Sequence, residues 1–200
     1  MIKALAPFAV FLVSACSVLP EQVPVDLFQL PAPNVQAASA GPRLSTLRID
    51  RALSSEALSG SRLLIMTADN QLQAFPNMRL AAPVPLLWRD WLLDAFWRDG
   101  RVGGLSAASE GLQSELELGG TLRAFQVDYT GPQAAAVIQY DATLIGTDGR
   151  QIVASRRFEA RQALHTVEGA SAIAAMGLAA DRVAGELIEW VIQQGQPPAQ

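Results

Sequence analysis

Residues 134–163 read AAAVIQYDATLI (134–145), GTDGR (146–150), QIVASRRFEARQA (151–163). In the first block Ala136, Ile138, Tyr140, Ala142 and Leu144 fall on one side. Val137, Gln139, Asp141 and Thr143 fall on the other. That period of two is the signature of a half-buried strand. Thr147-Asp148-Gly149 has the composition of a hairpin turn. The chain then returns, with Ile152, Ala154, Arg156, Phe158 and Ala160 in one phase. Upstream lies another extended stretch, Ser114 to Tyr129, carrying Leu116, Leu118, Leu122 and Phe125. Gly119-Gly120 interrupts it and predicts a bulge or bend. Thr130-Gly131-Pro132 turns it into the next strand. Three successive antiparallel strands are therefore expected.

Two helical patterns flank this meander. After it, Glu168 to Gln193 carries a stripe of Ile173, Met176, Ala180, Val183, Ala184, Leu187 and Val191. Gly177 and Gly185 weaken that helix by roughly 1 kcal/mol each against alanine, which suits a helix lying close to a sheet. Before the meander, Pro83 and Pro85 open a helix, where proline is tolerated. Val84, Leu87, Trp88, Trp91, Leu92, Ala95 and Phe96 form its apolar face. Arg89, Asp90, Asp94 and Arg98 lie opposite, with Asp94 and Arg98 placed to pair at i, i+4. Gly100 ends it, and Val102 to Leu105 adds a short strand. Earlier still, strands are predicted at Val25–Leu30, Thr46–Arg51 and Arg62–Thr67. The last turns at Asp69-Asn70 into a hairpin partner, Gln71–Phe75. Residues 31–43 read as a loop and 52–61 as a turn. The fold class is α/β: a two-layer sandwich, mainly antiparallel or mixed sheet, with two amphipathic helices on one face.

The chain start gives the location. Lys3, an apolar run from Ala4 to Val13 and Val13-Ser14-Ala15-Cys16 make the three parts of a secretory signal. The run is about half the length of a membrane span. Its end resembles a bacterial lipobox, and Cys16 is the only cysteine in the protein. The expected organisation is a signal peptide over 1–15, a lipidated tether over 16–24, a single domain over 25–194 and a disordered tail over 195–200. Lipid on Cys16 would be the only non-protein group. Several acyl chains, at roughly 0.8 kcal/mol per buried methylene, hold a protein to a membrane durably. Ser17 after the cysteine resembles the outer-membrane pattern, which places the domain on the periplasmic face. About eight residues separate anchor and first strand, a reach of roughly 27 Å. The mature chain carries 14 Arg and no Lys against 19 acids, a formal charge of −5. An acidic domain has no footprint for nucleic acid and no broad basic patch for anionic headgroups. With one cysteine, already used, no internal disulfide can form.

Reactive chemistry is sparse. The one histidine, His165, has no second His or free Cys to complete a metal site. No Gly-x-Ser-x-Gly elbow and no phosphate loop is present, so neither a hydrolase nor an ATPase is indicated. Glu115 and Glu117 read as a solvated strand face. Trp88 and Trp91 are assigned to the core. Trp97 lies beside the apolar stripe, and with Arg79 and the edge strands it is a candidate contact for a partner.

Arg79-Leu80-Ala81-Ala82-Pro83-Val84-Pro85-Leu86-Leu87 resembles the Arg-Trp-Ala-x-Pro-x-Pro-x-Leu signature of the ABC-type transport auxiliary lipoproteins, the PqiC-like family. Leu80 stands where the family has tryptophan, and Phe75 where the preceding strand has tyrosine. Phe28-Gln29-Leu30, Leu47-Arg48-Ile49, Leu122 to Phe125, Phe158-x-Ala160 and Leu187-x-x-Trp190-Val191 follow the family order. The resemblance implies a fold similar to the amino-terminal domain of TolB and no catalytic residues. It implies a lipoprotein subunit, at the outer membrane, of an ABC-type system in which an MCE-domain protein carries lipid between membranes. It is also compatible with homo-oligomerisation. A second reading from the anchored α/β pattern is an adaptor for peptidoglycan synthesis or envelope assembly. The tether is short for that role.

Overall fold

The computed structural model describes residues 25–196. Cys16, the tether over 16–24 and the tail beyond 196 lie outside the described residues. In chain order the elements are β1 (Asp26–Phe28), β2 (Leu44–Ile49), β3 (Leu53–Ser54), β4 (Leu64–Met66), β5 (Leu72–Ala74), β6 (Met78–Leu80), α1 (Val84–Asp99), β7 (Val102–Ala107), β8 (Leu116–Asp128), β9 (Ala135–Gly146), β10 (Gln151–Ala163) and α2 (Gly169–Gln194).

β8 is the spine. Along one edge it pairs antiparallel with β9 from Leu116↔Gly146 to Asp128↔Ala135. Its other edge is filled by three short strands in series, all parallel to it. They are β2 at Leu116–Leu118, β3 at Thr121–Leu122 and β4 at Gln126–Asp128. β10 extends the sheet beyond β9, β7 lies parallel beyond β2, and β5 pairs antiparallel with β4. The sheet is thus mixed, and the three-strand meander anticipated from residues 114–163 forms its antiparallel half. The parallel half follows from the crossover through α1, because adjacent parallel strands need a long connection. α2 covers β9 and β10, and α1 covers β7 and β2, both on one face. This is the two-layer α/β sandwich.

The core lies between the layers. Trp88 is 1% exposed and stacks on Trp91, centroids 5.8 Å apart. Its edges meet Phe125 and Tyr140 at 6.5 and 5.9 Å, in the edge-to-face geometry aromatic quadrupoles favour. Under α2, Trp190 meets Phe158 edge-on at 5.5 Å. Gly100 closes α1 in the left-handed conformation, φ 78°, its N–H donating to the Phe96 carbonyl. Asp94 and Arg98 pair at 3.0 Å as their spacing requires.

Several expectations are corrected. The β8 irregularity falls between Leu122 and Ala124, not at Gly119-Gly120, whose residues stay in register with Thr143 and Ala142. Gly120 instead makes room for the Tyr140 ring, whose hydroxyl donates to the Gly119 carbonyl at 2.8 Å. A bulge between Ile152 and Ala154 moves Ile152 out of the phase of Phe158, so Ile152 is exposed. Glu117 is not solvated: β8 is interior to the sheet, and its neighbour Arg48 on β2 pairs with the carboxylate. Gly185 faces open space, and Gly177 makes room for Pro31 rather than for the sheet.

Pro31 belongs to a connection absent from the expected layers. Residues 29–43 cross the helices as a strap. Trp91 Nε1 donates to the Pro31 carbonyl at 2.8 Å, the Asn34 N–H donates to Asp181 at 2.9 Å, and the Ala38 N–H donates to the Asp99 carbonyl at 3.0 Å. The strap leaves from a small separate sheet in which β1 pairs parallel with β6, Leu27 opposite Arg79. β6 carries no period-two signal long enough to be seen in sequence, and the strand expected over Val25–Leu30 is only three residues.

Candidate functional site

The function-bearing groups lie on the surface, at the two ends of the sheet and on its uncovered face. At one end β8 leaves the sheet, β4 and β5 form their hairpin and α2 begins. Here the chain enters at Val25. Phe28 and Met78 pack against Gly169 at the first turn of α2, which fixes the β1–β6 pair at this end. Arg79 points outward from β6 and is exposed, because its neighbours Met78 and Leu80 alternate into the core. Together with Arg62 and Val25 it lines a shallow pocket of about 260 Å³.

Trp97 lies near the other end of α1, thirteen residues past its start, or about 20 Å along the axis. It is 65% exposed, whereas Trp88 and Trp91 are buried. The structure therefore does not bring Arg79 and Trp97 together. Around the Trp97 end, Arg101 is held by Asp99 at 2.8 Å and by Glu189 of α2 at 2.6 Å. The hydrogen bonds to Asp99 and then Glu189 raise the Arg101 pKa further, and Arg101 in turn lowers that of Glu189. Sequence reasoning missed this trio. Its one local signal is Asp99-Gly100-Arg101, an acid and a base either side of a helix stop. Glu189 cannot be matched to them without the packing of α2. A second surface cleft, about 410 Å³, opens beside Arg48, Gln113, Thr147 and Asp148.

The uncovered sheet face is a row of ion pairs. Asp141 on β9 accepts from Arg157 on β10 at 2.8 Å and from Arg123 on β8 at 2.9 Å. Asp128 accepts from Arg161 at 2.8 Å and from Thr130. The bonds from Arg157, then Arg123, outweigh desolvation and hold the Asp141 carboxyl far below the ordinary carboxylate range. Burial raises the Asp128 pKa, but Thr130 and Arg161 overcome it and the net shift is downward. A carboxyl depressed in the folded state stabilises above its unfolded pKa, near 4, and loses that contribution as pH falls through the folded value. The urea midpoint is therefore expected to hold from neutral pH to about 5 and to fall steeply from about 4 to 2. Asp128→Asn should flatten that fall, as followed by urea denaturation at each pH.

No nucleophile is paired with a base among these groups. His165 is exposed in the turn before α2. The Tyr140 phenol is buried and held well above its ordinary pKa by desolvation, with a smaller contribution from Asp50. Among the described residues no group of three or more His, Cys, Asp or Glu is placed to hold a metal ion. No helix of the described residues is long and apolar enough to cross a membrane.

These features define an α/β sandwich whose core, among the described residues, is packed with aromatic and aliphatic side chains. The chain belongs to the ABC-type transport auxiliary lipoprotein component family, whose model matches residues 28–187. In structure it is similar to protein XCC0632 from Xanthomonas campestris, with a TM-score of 0.77 at 22% identity, covering 85% of this chain and 96% of that one. An uncharacterized protein matches with a TM-score of 0.65 at 18% identity, over 84% of this chain and 99% of the other. A comparison with curated proteins found no sequence match. At these identities the structural likeness speaks to the fold, and the family assignment rests on the match over 28–187.

Proposed function

We propose that the protein is a non-catalytic lipoprotein subunit of an MCE-containing ABC-type lipid transport system, anchored by lipid on Cys16 to the periplasmic face of the outer membrane. The observation that carries this reading is the family match from Phe28 to Leu187, which takes in nearly the whole folded domain. The surface geometry is consistent with it. The interior is filled by Trp88, Phe125, Tyr140 and Phe158, and the distinctive groups face outward. A single domain of this size can attach to a partner through one exposed aromatic anchor and a polar rim. Trp97 meets that description and lies at the end of the sheet far from the tether. It is the preferred contact for the MCE-domain protein, with homo-oligomerisation through the free edges of β7 or β10 compatible with it.

The test is capture of the detergent-extracted, lipidated protein and identification of what accompanies it. An MCE-domain protein with its permease and ATPase is expected, and Trp97→Ala should reduce their recovery at least tenfold. A penicillin-binding protein in their place would overturn the proposal in favour of a role in peptidoglycan synthesis. Cys16→Ala should move the protein from the outer-membrane fraction to the soluble one. Unchanged fractionation would remove the anchor.

A further inference from the structure

The end of the sheet where the chain enters carries an uneven set of exposed side chains. Val25 and Leu27 are 54% and 71% exposed on and just before β1. Val167, in the turn leading into α2, is 64% exposed, and Leu72 on the β4–β5 hairpin is 44% exposed. Topology puts them at one end of the sheet. Leu72 is opposite Met66, which is opposite Asp128 at the end of β8. β10 closes at Ala163 opposite Ala135 of the same end. Arg79 lies opposite Leu27, and Arg62 lies beside it in the small pocket. Among the described residues neither arginine takes part in an ion pair, as is also true of Arg43, Arg51, Arg150 and Arg182, while the other eight arginines do.

We infer that this end of the domain rests on the bilayer that holds the lipid anchor, with Val25, Leu27 and Val167 in the interfacial layer and Arg62 and Arg79 at the depth of the headgroup phosphates. The inference builds on the proposed lipidation of Cys16. Two lengths carry it. The tether reaches roughly 27 Å when fully extended. β8 alone, with thirteen residues, is about 43 Å long. The opposite end, with Trp97, Leu112 and Ile152, therefore cannot be brought down to the anchoring membrane without the tether running the length of the domain. The exposed apolar residues at the entry end need no such path, since Val25 is the residue on which the tether arrives. Asp26, Asp69 and Glu168 share this end, so it is not a basic patch, and adhesion comes from inserted apolar side chains. Arg62 and Arg79 supply the charge that suits phosphate, and guanidinium pairs with phosphate bidentately. The same geometry turns the Trp97 end away from the membrane.

Leu27→Cys tests this. Cys16 is consumed by lipid, so position 27 holds the single free thiol of the mature chain. The full lipidated protein, labelled there with a small fluorophore, is placed in vesicles of phosphatidylethanolamine and phosphatidylglycerol, with and without doxyl-labelled lipid. Quenching at position 27 is expected to exceed that at Ile152→Cys at least threefold. Val167→Cys should behave like position 27, and covers the case in which Leu27→Cys folds poorly. If the protein floats with the vesicles but quenching is equal at 27, 152 and 167, the membrane-facing assignment fails and the anchor stands. If the protein does not float, the anchor fails and this inference falls with it.

Discussion

Gly120→Val is expected to destabilise the fold severely. A Cβ at position 120 would lie 2.2 Å from the Asp141 carbonyl oxygen and 2.9 Å from the Tyr140 ring. The first of these is backbone in the strand that β8 pairs with along its whole length, so no side-chain rotation relieves it. The backbone at Gly120 also has a positive φ, 148°, which a β-branched residue strongly disfavours. Relief requires β8 and β9 to separate where the Tyr140 hydroxyl bonds to the Gly119 carbonyl. Clash, strain and a lost buried hydrogen bond together should cost about 4 kcal/mol or more. For a domain of this size that lowers Tm by roughly 10 °C or more, read by calorimetry or urea denaturation. Gly185→Ala is the contrast: its Cβ meets nothing within 4 Å, and the exchange should be neutral or stabilise α2 by up to about 1 kcal/mol. Gly120→Val with wild-type stability would show that β8 and β9 are not paired in this register.

Trp88→Ala carries the second large effect. The indole is 1% exposed and joins both layers, stacking on Trp91 within α1 and meeting Phe125 and Tyr140 of the sheet. Truncation leaves a cavity that a strand pair and a helix cannot collapse to fill, and about 3–5 kcal/mol is expected. Trp88 Nε1 is buried without a hydrogen-bond partner. Trp88→Phe should therefore cost clearly less than Trp88→Ala. It keeps most of the aromatic contact and removes a donor whose isolation is itself unfavourable. The urea midpoints of the two variants, with unchanged slopes, give the comparison. Equal losses would mean that the indole N–H is satisfied after all, by bound water.

The chain-entry end and these two core positions differ in how far the sequence specifies them. Local period and turn chemistry made the elements readable: Ala136 to Leu144 alternates, Asp148-Gly149 turns, and Val84 to Phe96 repeats at helical spacing. Those signals depend on near neighbours in the chain, and the elements they indicate are all present. Position within the sheet is not a local property. Nothing around Glu117 states that β8 is interior, yet that placement sets Arg48 beside it and turns an expected solvated acid into a paired, buried one. Ile152 departs from its expected phase for a similar reason, since a one-residue bulge reverses the facing of all that precedes it. Arg79 and Trp97 are both candidate partner contacts in the sequence, Trp97 because it lies beside the apolar stripe of its helix. That they lie at opposite ends of the domain, one at the end where Val25 lies and one away from it, required the sheet.

By itself the sequence determined the α/β class, the antiparallel meander of residues 114–163, the two helices with their buried faces, and the family signature around Arg79–Leu87. Each is written in periods of two or 3.6 residues, or in short motifs, and needs no distant partner. Only the tertiary structure decided that β8 takes three short parallel strands along one edge, that residues 29–43 strap the helices, and that Asp99, Arg101 and Glu189 meet. It also decided that Val25, Leu27, Val167 and Arg79 share one end of the sheet. Those features join residues up to 147 positions apart in sequence, and such contacts are fixed by packing of the whole core rather than by any local pattern.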